Sequence, residues 1–235
     1  MSESVRIFQL GERSILIEFN RDINKNLLYF LLNLKENIFL NKGEQILQVT
    51  NTYNSLLVIY KSTINNFYSE KDNFFELISN VPTMDMTKTP TRKIPVCYES
   101  DFGLDLEEVS EKTSLSISEI IKRHTRPIYT VYFIGFLPGF PYLGGMDSSL
   151  FCRRKSNPRP KINSGSVGIA GSQTGIYPSS SPGGWQIIGR TPLSLFDIHK
   201  TDNPCLLSPG DSLQFESISK EEFDDLQSHP SKIKP

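Results

Sequence analysis

Side chains suited to binding an anion are concentrated in one segment, residues 135–197. The segment is rich in Gly and Pro, and its basic residues are Arg153, Arg154, Lys155, Arg159, Lys161 and Arg190. Residues 148–196 contain no Asp or Glu that could neutralise them. A guanidinium presents paired N–H donors to a carboxylate or phosphate, and cations without counter-charge attract an anionic ligand or an acidic partner surface. The pattern predicts that two or three of these cations line an anion site, and a solvated basic loop is the alternative.

Polar and aromatic side chains in the same segment could orient such a ligand. Hydroxyl and amide groups lie around glycines at Ser164, Ser166, Ser172, Gln173, Thr174 and Tyr177. With neighbouring backbone N–H groups they could hold a small polar ligand, and structural turns are the competing explanation. Trp185, the only tryptophan, is either a pocket wall or a barrel core residue. Phe136, Phe140 and Tyr142 form a loop that is expected to cover the barrel or to face a partner subunit.

One histidine, His124, is a candidate general acid or base, because imidazole titrates near neutral pH. It lies at the end of a predicted helix, so a C-terminal cap that interacts with the helix dipole is the alternative. The residues predicted to act in catalysis are His124, Arg159, Lys161 and Gln173. The residues predicted to bind substrate are Arg153, Arg154, Ser166, Thr174, Tyr177, Trp185 and Arg190. No metal site is predicted, because Cys97, Cys152 and Cys205 are widely spaced and lack CxxC pairing.

Length, charge and missing motifs limit the class of protein. The chain has 235 residues and a formal net charge of −1, which suits one large or two small domains and argues against a general nucleic-acid binder. No apolar run approaches the roughly 20 residues needed to cross a bilayer, and no signal peptide is visible. The sequence contains no nucleophile elbow, no Walker A phosphate loop and no HExxH motif. We expect a cytoplasmic protein with reduced cysteines and no standard means of holding ATP.

Residues 1–82 are predicted to form a small α+β domain with the element order ββαββα. The predicted strands are Val5–Leu10, Ser14–Phe19, Gln45–Thr50 and Ser55–Tyr60, which are apolar and β-branched. Asp22 is expected to cap a first helix, in which apolar residues recur at helical spacing as far as Ile38. Asn66–Ser79 predicts a second helix. We expect a four-stranded sheet with both helices on one face.

Residues 83–92 lack periodicity and are rich in Pro and Thr, so we place a linker there. The second domain, residues 93–235, is expected to begin with a strand, Lys93–Tyr98, and two short helices capped by Asp105 and Ser116. Beyond them, short strands separated by Gly and Pro turns are typical of a closed or nearly closed β-barrel. The strands predicted there, and a closing helix, are Tyr129–Phe136, Ser166–Ala170, Trp185–Ile188, Ser212–Ser217 and Glu221–Gln227.

Long motifs across the chain are specific enough to indicate a family. They are YNSLLVIY at 53–60, DFGLDLEEV at 101–109, HTRPIYTVYFIGF at 124–136, GFLPGFPYLGGMD at 135–147, PRPKINSGSVGIAGSQTGIYP at 158–178, SPGGWQIIGRTPLSLFD at 181–197 and PGDSLQF at 209–215. Over nearly its full length the chain resembles the KipI/PxpB family, also described as allophanate hydrolase subunit 1-like. The resemblance implies a small amino-terminal α/β sandwich followed by a cyclophilin-like β-barrel.

The resemblance implies two functions from different classes. In one, the PxpB subunit of bacterial 5-oxoprolinase works with a PxpC-type barrel subunit and a PxpA-type subunit to open 5-oxo-L-proline to L-glutamate at the expense of ATP. In the other, a KipI-type protein binds a histidine kinase and inhibits its autophosphorylation. We favour the enzyme subunit, inactive alone, because a cationic, polar pocket suits a small carboxylate and a phosphorylated intermediate. A stand-alone prolyl isomerase would rest on barrel analogy only.

Overall fold

Residues 5–82 and 90–229 are described by a computed structural model of the chain. The chain separates into two units, Met1–Lys88 and Thr89–Pro235. The linker predicted at 83–92 falls mainly on residues 83–89, which lie outside the described ranges.

The first unit contains one antiparallel sheet and two helices. Its elements are β1 (Val5–Leu10), β2 (Ser14–Phe19), α1 (Lys25–Lys42), β3 (Ile46–Asn51), β4 (Ser55–Tyr60) and α2 (Phe67–Ser79). The strands are ordered β1-β2-β4-β3. Leu31 and Ile38 of α1 and Phe74 of α2 share one buried cluster with Ile17 and Val58 of the sheet. The predicted order ββαββα is therefore confirmed.

The predicted cap of α1 is wrong by two residues. The helix begins after Asn24, whose side-chain oxygen accepts a hydrogen bond from the backbone N–H of Leu27 at 2.9 Å. A capping side chain must reach the second or third N–H of its helix. Asn24 has that position, whereas Asp22 lies two residues further from the helix.

The second unit is built on a closed barrel. Its elements are β5 (Arg92–Cys97), α3 (Leu106–Thr113), α4 (Ile117–Thr125), β6 (Tyr129–Ile134), β7 (Pro141–Gly144), β8 (Arg159–Ile162), β9 (Ser166–Ala170), β10 (Gln173–Ile176), β11 (Ser181–Gly183), β12 (Gln186–Arg190), β13 (Ser212–Ile218) and α5 (Lys220–Ser228). The barrel order is β10-β7-β6-β13-β5-β12-β9, and β8 pairs with β11 in a separate ribbon. The predicted α+β class with a barrel is confirmed.

Two local features of the second unit differ from the sequence prediction. β6 ends at Ile134, because Phe136 has a φ of +67° and cannot continue a strand. The ribbon of β8 and β11 was not predicted, since both strands contain proline, which cannot donate a ladder hydrogen bond and is usually confined to sheet edges. This ribbon is only two strands wide and lies outside the barrel ladder.

A search of the helices in residues 5–82 and 90–229 finds none that is long and apolar enough to span a bilayer.

Candidate functional site

A cavity of about 300 Å³ lies beside Trp185 in the second unit. The residues that line it are Phe136, Phe140, Tyr142, Arg154, Lys155, Pro158, Tyr177, Pro182, Gly183, Gly184 and Trp185. Most of the wall is aromatic or otherwise apolar, with two basic side chains. Mostly apolar walls with a few polar groups are typical of small-molecule sites.

A larger depression of about 530 Å³ lies at the start of α1 in the first unit. It is lined by Asn20, Arg21, Asp22, Asn24, Asn26 and Leu27. This wall has no aromatic residue, and its charged side chains, Arg21 and Asp22, have opposite signs. We therefore take the smaller cavity beside Trp185 as the candidate site.

Interlocked aromatic rings form the back of the cavity. Phe140, Tyr177 and Trp185 are buried. The Phe140 ring meets the Tyr177 ring edge-to-face, with centroids 5.2 Å apart, and meets the Trp185 ring in the same way at 5.3 Å. The Tyr142 ring lies 4.9 Å from that of Phe140. Because each ring contacts at least one other, these walls are preformed and rigid.

Phe136 lies at the edge of the cavity with 63% of its surface exposed. Its φ of +67° is unusual for a bulky side chain. The turn is held by hydrogen bonds from the N–H of Gly135 to the carbonyl of Phe140 and from the N–H of Phe140 to the carbonyl of Leu137. Strained, exposed residues of this kind concentrate at ligand and active sites. The observation supports a functional role for this edge.

Behind the cavity wall, Asp105 binds two of the predicted cations. Its carboxylate is 2% exposed and accepts two hydrogen bonds from the Arg159 guanidinium, each 2.7 Å long. It also accepts from Lys155 Nζ at 2.9 Å and from the backbone N–H of Ile187 at 2.7 Å. Burial alone would raise the pKa of Asp105, but the bonds from Arg159, Ile187 and Lys155 hold that pKa below its usual value.

Glu108 completes this ion cluster one turn along α3. It pairs with Lys112 on the same helix and with Lys155, and it accepts a hydrogen bond from the Gln186 side chain at 3.1 Å. The bonds from Lys112 and then Lys155 lower the pKa of Glu108 to about 2. Both carboxylates are therefore ionised at neutral pH.

Two sequence predictions are corrected by this cluster. Lys155 and Arg159 do have counter-charges, which come from α3 and not from the acid-free segment. Asp105 does occupy the position before α3, but its side chain makes no capping hydrogen bond. The carboxylate is instead directed at Arg159 and Lys155, where ionic hydrogen bonds are stronger than a neutral cap.

Arg154 differs from Lys155 and Arg159 because no carboxylate of residues 5–82 and 90–229 pairs with it. Its side chain is exposed, and its guanidinium carbon lies 5.8 Å from the centre of the Trp185 ring. Burial raises the pKa of Tyr177 to about 12, and the positive charge of Arg154 acts in the opposite direction. This guanidinium is therefore close to two of the cavity's aromatic walls and available to a ligand.

The remaining predicted cations do not line the cavity. Arg153 and Lys161 are exposed. Arg190 donates from Nε to the carbonyl of Ser164 at 2.8 Å and lies over the ring of Phe223, 5.7 Å from its centre. These contacts give Arg190 a structural environment at the side of the barrel.

His124 and Thr174, also predicted as site residues, are fully buried in the barrel. His124 Nδ1 lies 2.8 Å from the Tyr98 hydroxyl, and Nε2 lies 3.1 Å from the Thr174 hydroxyl. Its ring stacks on Phe215 with centroids 4.4 Å apart. Burial lowers the pKa of His124 to about 3, so the ring is neutral at pH 7. Neither residue faces the cavity.

The last two predicted polar residues belong to barrel strands. Ser166 is buried on β9 opposite Arg190, and Gln173 is half-buried on β10 opposite Ala170. Of the eleven predicted site residues, the cavity thus brings together Arg154, Tyr177 and Trp185. Sequence reasoning assigned no site role to Asp105 and Glu108. Their spacing of three residues on a predicted helix, opposite an acid-free basic segment, was the available signal.

Comparison with known proteins gives a consistent result. Residues 5–207 match the family described as carboxyltransferase domain, subdomain C and D. The chain is 38% identical to the PxpB subunit of 5-oxoprolinase from Bacillus subtilis (strain 168), over 95% of this chain and 97% of that protein. It is 50% identical to the corresponding 5-oxoprolinase subunit of Haemophilus influenzae over 52% of this chain, and the match covers 57% of that protein.

A solved structure shows the same architecture. The crystal structure of TTHA0988 superposes with a TM-score of 0.76 and 31% sequence identity over 88% of this chain. The match covers 40% of that longer chain. The two folds therefore agree over both described units of the present protein.

Proposed function

The chain belongs to the carboxyltransferase subdomain C and D family and, within it, to the KipI/PxpB family, and from this premise we propose that it is the PxpB-type subunit of an ATP-dependent 5-oxoprolinase. The complex would open the lactam ring of 5-oxo-L-proline to give L-glutamate. The similarity to 5-oxoprolinase subunits of this type, over nearly the whole chain in one case, supports this proposal.

The observation that carries the proposal is the aromatic cavity with one unpaired guanidinium at its wall. The substrate is a compact ring with a single carboxylate. Its ring can pack against Phe140 and Trp185, and its carboxylate can pair with Arg154. A cavity of about 300 Å³ is at the small end of the range for ligand sites, which suits a metabolite of this size.

The walls of the cavity bind and orient, but they supply no base near neutral pH. Their titratable side chains are Arg154, Lys155, Tyr142 and Tyr177. Lys155 is held by Glu108 and Asp105, which raise its pKa, and burial raises the pKa of both tyrosines. We therefore propose that these residues place the substrate and that partner subunits complete the reaction.

An unactivated lactam is a poor electrophile, so ATP has a specific use. Phosphorylation of the ring carbonyl oxygen would create a good leaving group, and cations would stabilise the charge that develops. We propose that ATP is bound by a PxpC-type or PxpA-type partner, and that this chain is inactive alone. The catalytic roles predicted for His124, Arg159, Lys161 and Gln173 stay predictions, and none of the four lines the cavity.

Reconstitution tests the proposal. The chain is co-purified with candidate PxpC-type and PxpA-type subunits, and glutamate formation from 5-oxoproline is measured with and without ATP. We expect ATP-dependent glutamate from the full mixture and none from the isolated chain. If the assembled mixture forms no glutamate, the proposed function is wrong. Tight binding to a histidine kinase in place of these partners would favour the KipI-type alternative.

A further inference from the structure

We propose that the cavity beside Trp185 selects ligands with a single carboxylate, that Arg154 is the residue that reads this carboxylate, and that ATP is not a ligand of this site. The identity of the natural ligand rests on the proposed function. The charge and the shape that the site accepts rest on the ion cluster and on the aromatic walls, which are independent of that function.

The first step is the pairing of charges around the cavity. Lys155 lines the cavity, but its Nζ contacts both carboxylates of α3, and Arg159 behind it is held by two hydrogen bonds to Asp105. Asp105 and Glu108 thus match Lys155 and Arg159 one for one. Lys112 shares Glu108 but is not part of the cavity wall. A ligand anion would have to displace a buried carboxylate to recruit Lys155 or Arg159, which is costly.

The second step is the position of Arg154. Its guanidinium lies over the Trp185 ring, which favours a cation on its face. The contact restricts the side chain while leaving N–H groups for a bidentate bond to a carboxylate. Because the Arg154 side chain is exposed and the Trp185 ring is buried, the carboxylate would bind at the opening and the rest of the ligand against the aromatic wall.

The third step is the class of ligand that follows. One available guanidinium next to aromatic rings suits a monocarboxylate on a compact, largely apolar ring. A triphosphate carries several negative charges and normally requires several unpaired cations, backbone N–H groups or a metal ion. The two cations that could have supplemented Arg154 are already used by α3.

The single tryptophan makes the inference directly measurable. Trp185 is the only tryptophan of the chain and lies on the cavity wall, so intrinsic fluorescence reports ligand binding there. The full-length chain is titrated with 5-oxoproline, with 2-pyrrolidinone (the same lactam ring without the carboxylate) and with MgATP, under excitation at a wavelength where ATP does not absorb. Dissociation constants come from the shape of each titration, so a changed starting intensity in a variant does not matter.

Arg154→Gln is compared with Arg153→Gln, a matched control that removes the same charge from an exposed neighbour outside the cavity wall. We expect Arg154→Gln to weaken 5-oxoproline binding at least about tenfold, as expected for loss of a charged hydrogen bond. Arg153→Gln should bind like the parent chain. The affinity for 2-pyrrolidinone should be low and the same in all three proteins, and MgATP should neither saturate the signal nor compete with 5-oxoproline.

The inference is overturned if 5-oxoproline gives no saturable signal, if Arg154→Gln binds it as tightly as the parent chain, or if MgATP competes for the site. These outcomes are separate from failure of the proposed function. A reconstituted mixture without activity, together with Arg154-dependent carboxylate binding, would refute the function and leave this inference standing. An active mixture in which the present chain binds 5-oxoproline independently of Arg154 would do the reverse.

Discussion

Replacing Asp105 with Asn tests whether the α3 carboxylates hold the cavity wall together. The carboxylate is 2% exposed and receives hydrogen bonds from Arg159, Lys155 and the Ile187 backbone. Asn is nearly the same size, so no cavity is created. It carries no charge, however, and its NH₂ group would face donors if its oxygen keeps the bond to Ile187. The substitution thus isolates the ionic part of the cluster.

The expected loss follows from how well the partners can recover. Removing one member of a fully buried ion pair costs about 3–5 kcal/mol. Here the Arg159 and Lys155 side chains are 26% and 19% exposed and can turn partly toward water, and Lys155 keeps Glu108. We therefore expect the free energy of unfolding of the second unit to fall by about 2–3 kcal/mol at pH 7. The affinity for 5-oxoproline should also fall, because the segment that carries Arg154 loses an anchor.

Urea unfolding followed by Trp185 fluorescence measures this loss, since the only tryptophan belongs to the second unit. Asp101→Asn is the control, because Asp101 forms an exposed pair with Lys220 and should leave the midpoint nearly unchanged. The pKa of Asp105 is lowered in the folded protein, so its stabilisation is present above the carboxyl pKa of the unfolded chain and disappears as pH falls. Equal midpoints for the two variants at pH 7, or a difference that grows toward acid pH, would refute the reasoning.

Two further predictions concern the barrel. His124 is buried and neutral with a pKa of about 3, so between the unfolded pKa near 6.5 and about 3 the unfolded chain binds one more proton and stability falls by about 1.4 kcal/mol per pH unit as pH drops; the acid limb of stability against pH should be shallower in His124→Gln, and equal slopes would contradict this. Gly165 has a φ of +82°, and a Cβ there would lie 2.2 Å from the Thr191 carbonyl oxygen, whereas Gly171 has a φ of +59° and open space. Gly171→Ala should cost only the backbone strain, about 1–2 kcal/mol, and Gly165→Ala clearly more in thermal unfolding; similar losses would show that the clash is relieved locally.

Local pattern was sufficient for the elements of the first unit and for the type of the second. The alternation of buried and exposed residues in Val5–Leu10 and Ser14–Phe19 gave both strands with their observed bounds. The cap of α1 was misplaced because Asp22 and Asn24 are both good capping residues, and the choice depends on where the chain leaves β2. Pattern alone does not contain that geometry.

The candidate site was harder to predict, because its logic depends on contacts distant in sequence. Asp105 and Arg159 are 54 positions apart, so the acid-free segment could not show that its cations are paired. His124 looked like a catalytic candidate on residue type, and its complete burial follows from the closure of the barrel around it. Trp185 and Tyr177 were correctly placed at the cavity, since a polar-tipped aromatic next to glycines often forms a pocket wall.

The account depends most on Arg154 as the residue that binds the substrate carboxylate for a 5-oxoprolinase. The most direct test is the KM for 5-oxoproline in the reconstituted complex containing the parent chain, Arg154→Gln or Arg153→Gln. We expect Arg154→Gln to raise this KM at least about tenfold, with the KM for ATP unchanged, while Arg153→Gln matches the parent. An unchanged KM for 5-oxoproline in the Arg154→Gln complex would contradict the account.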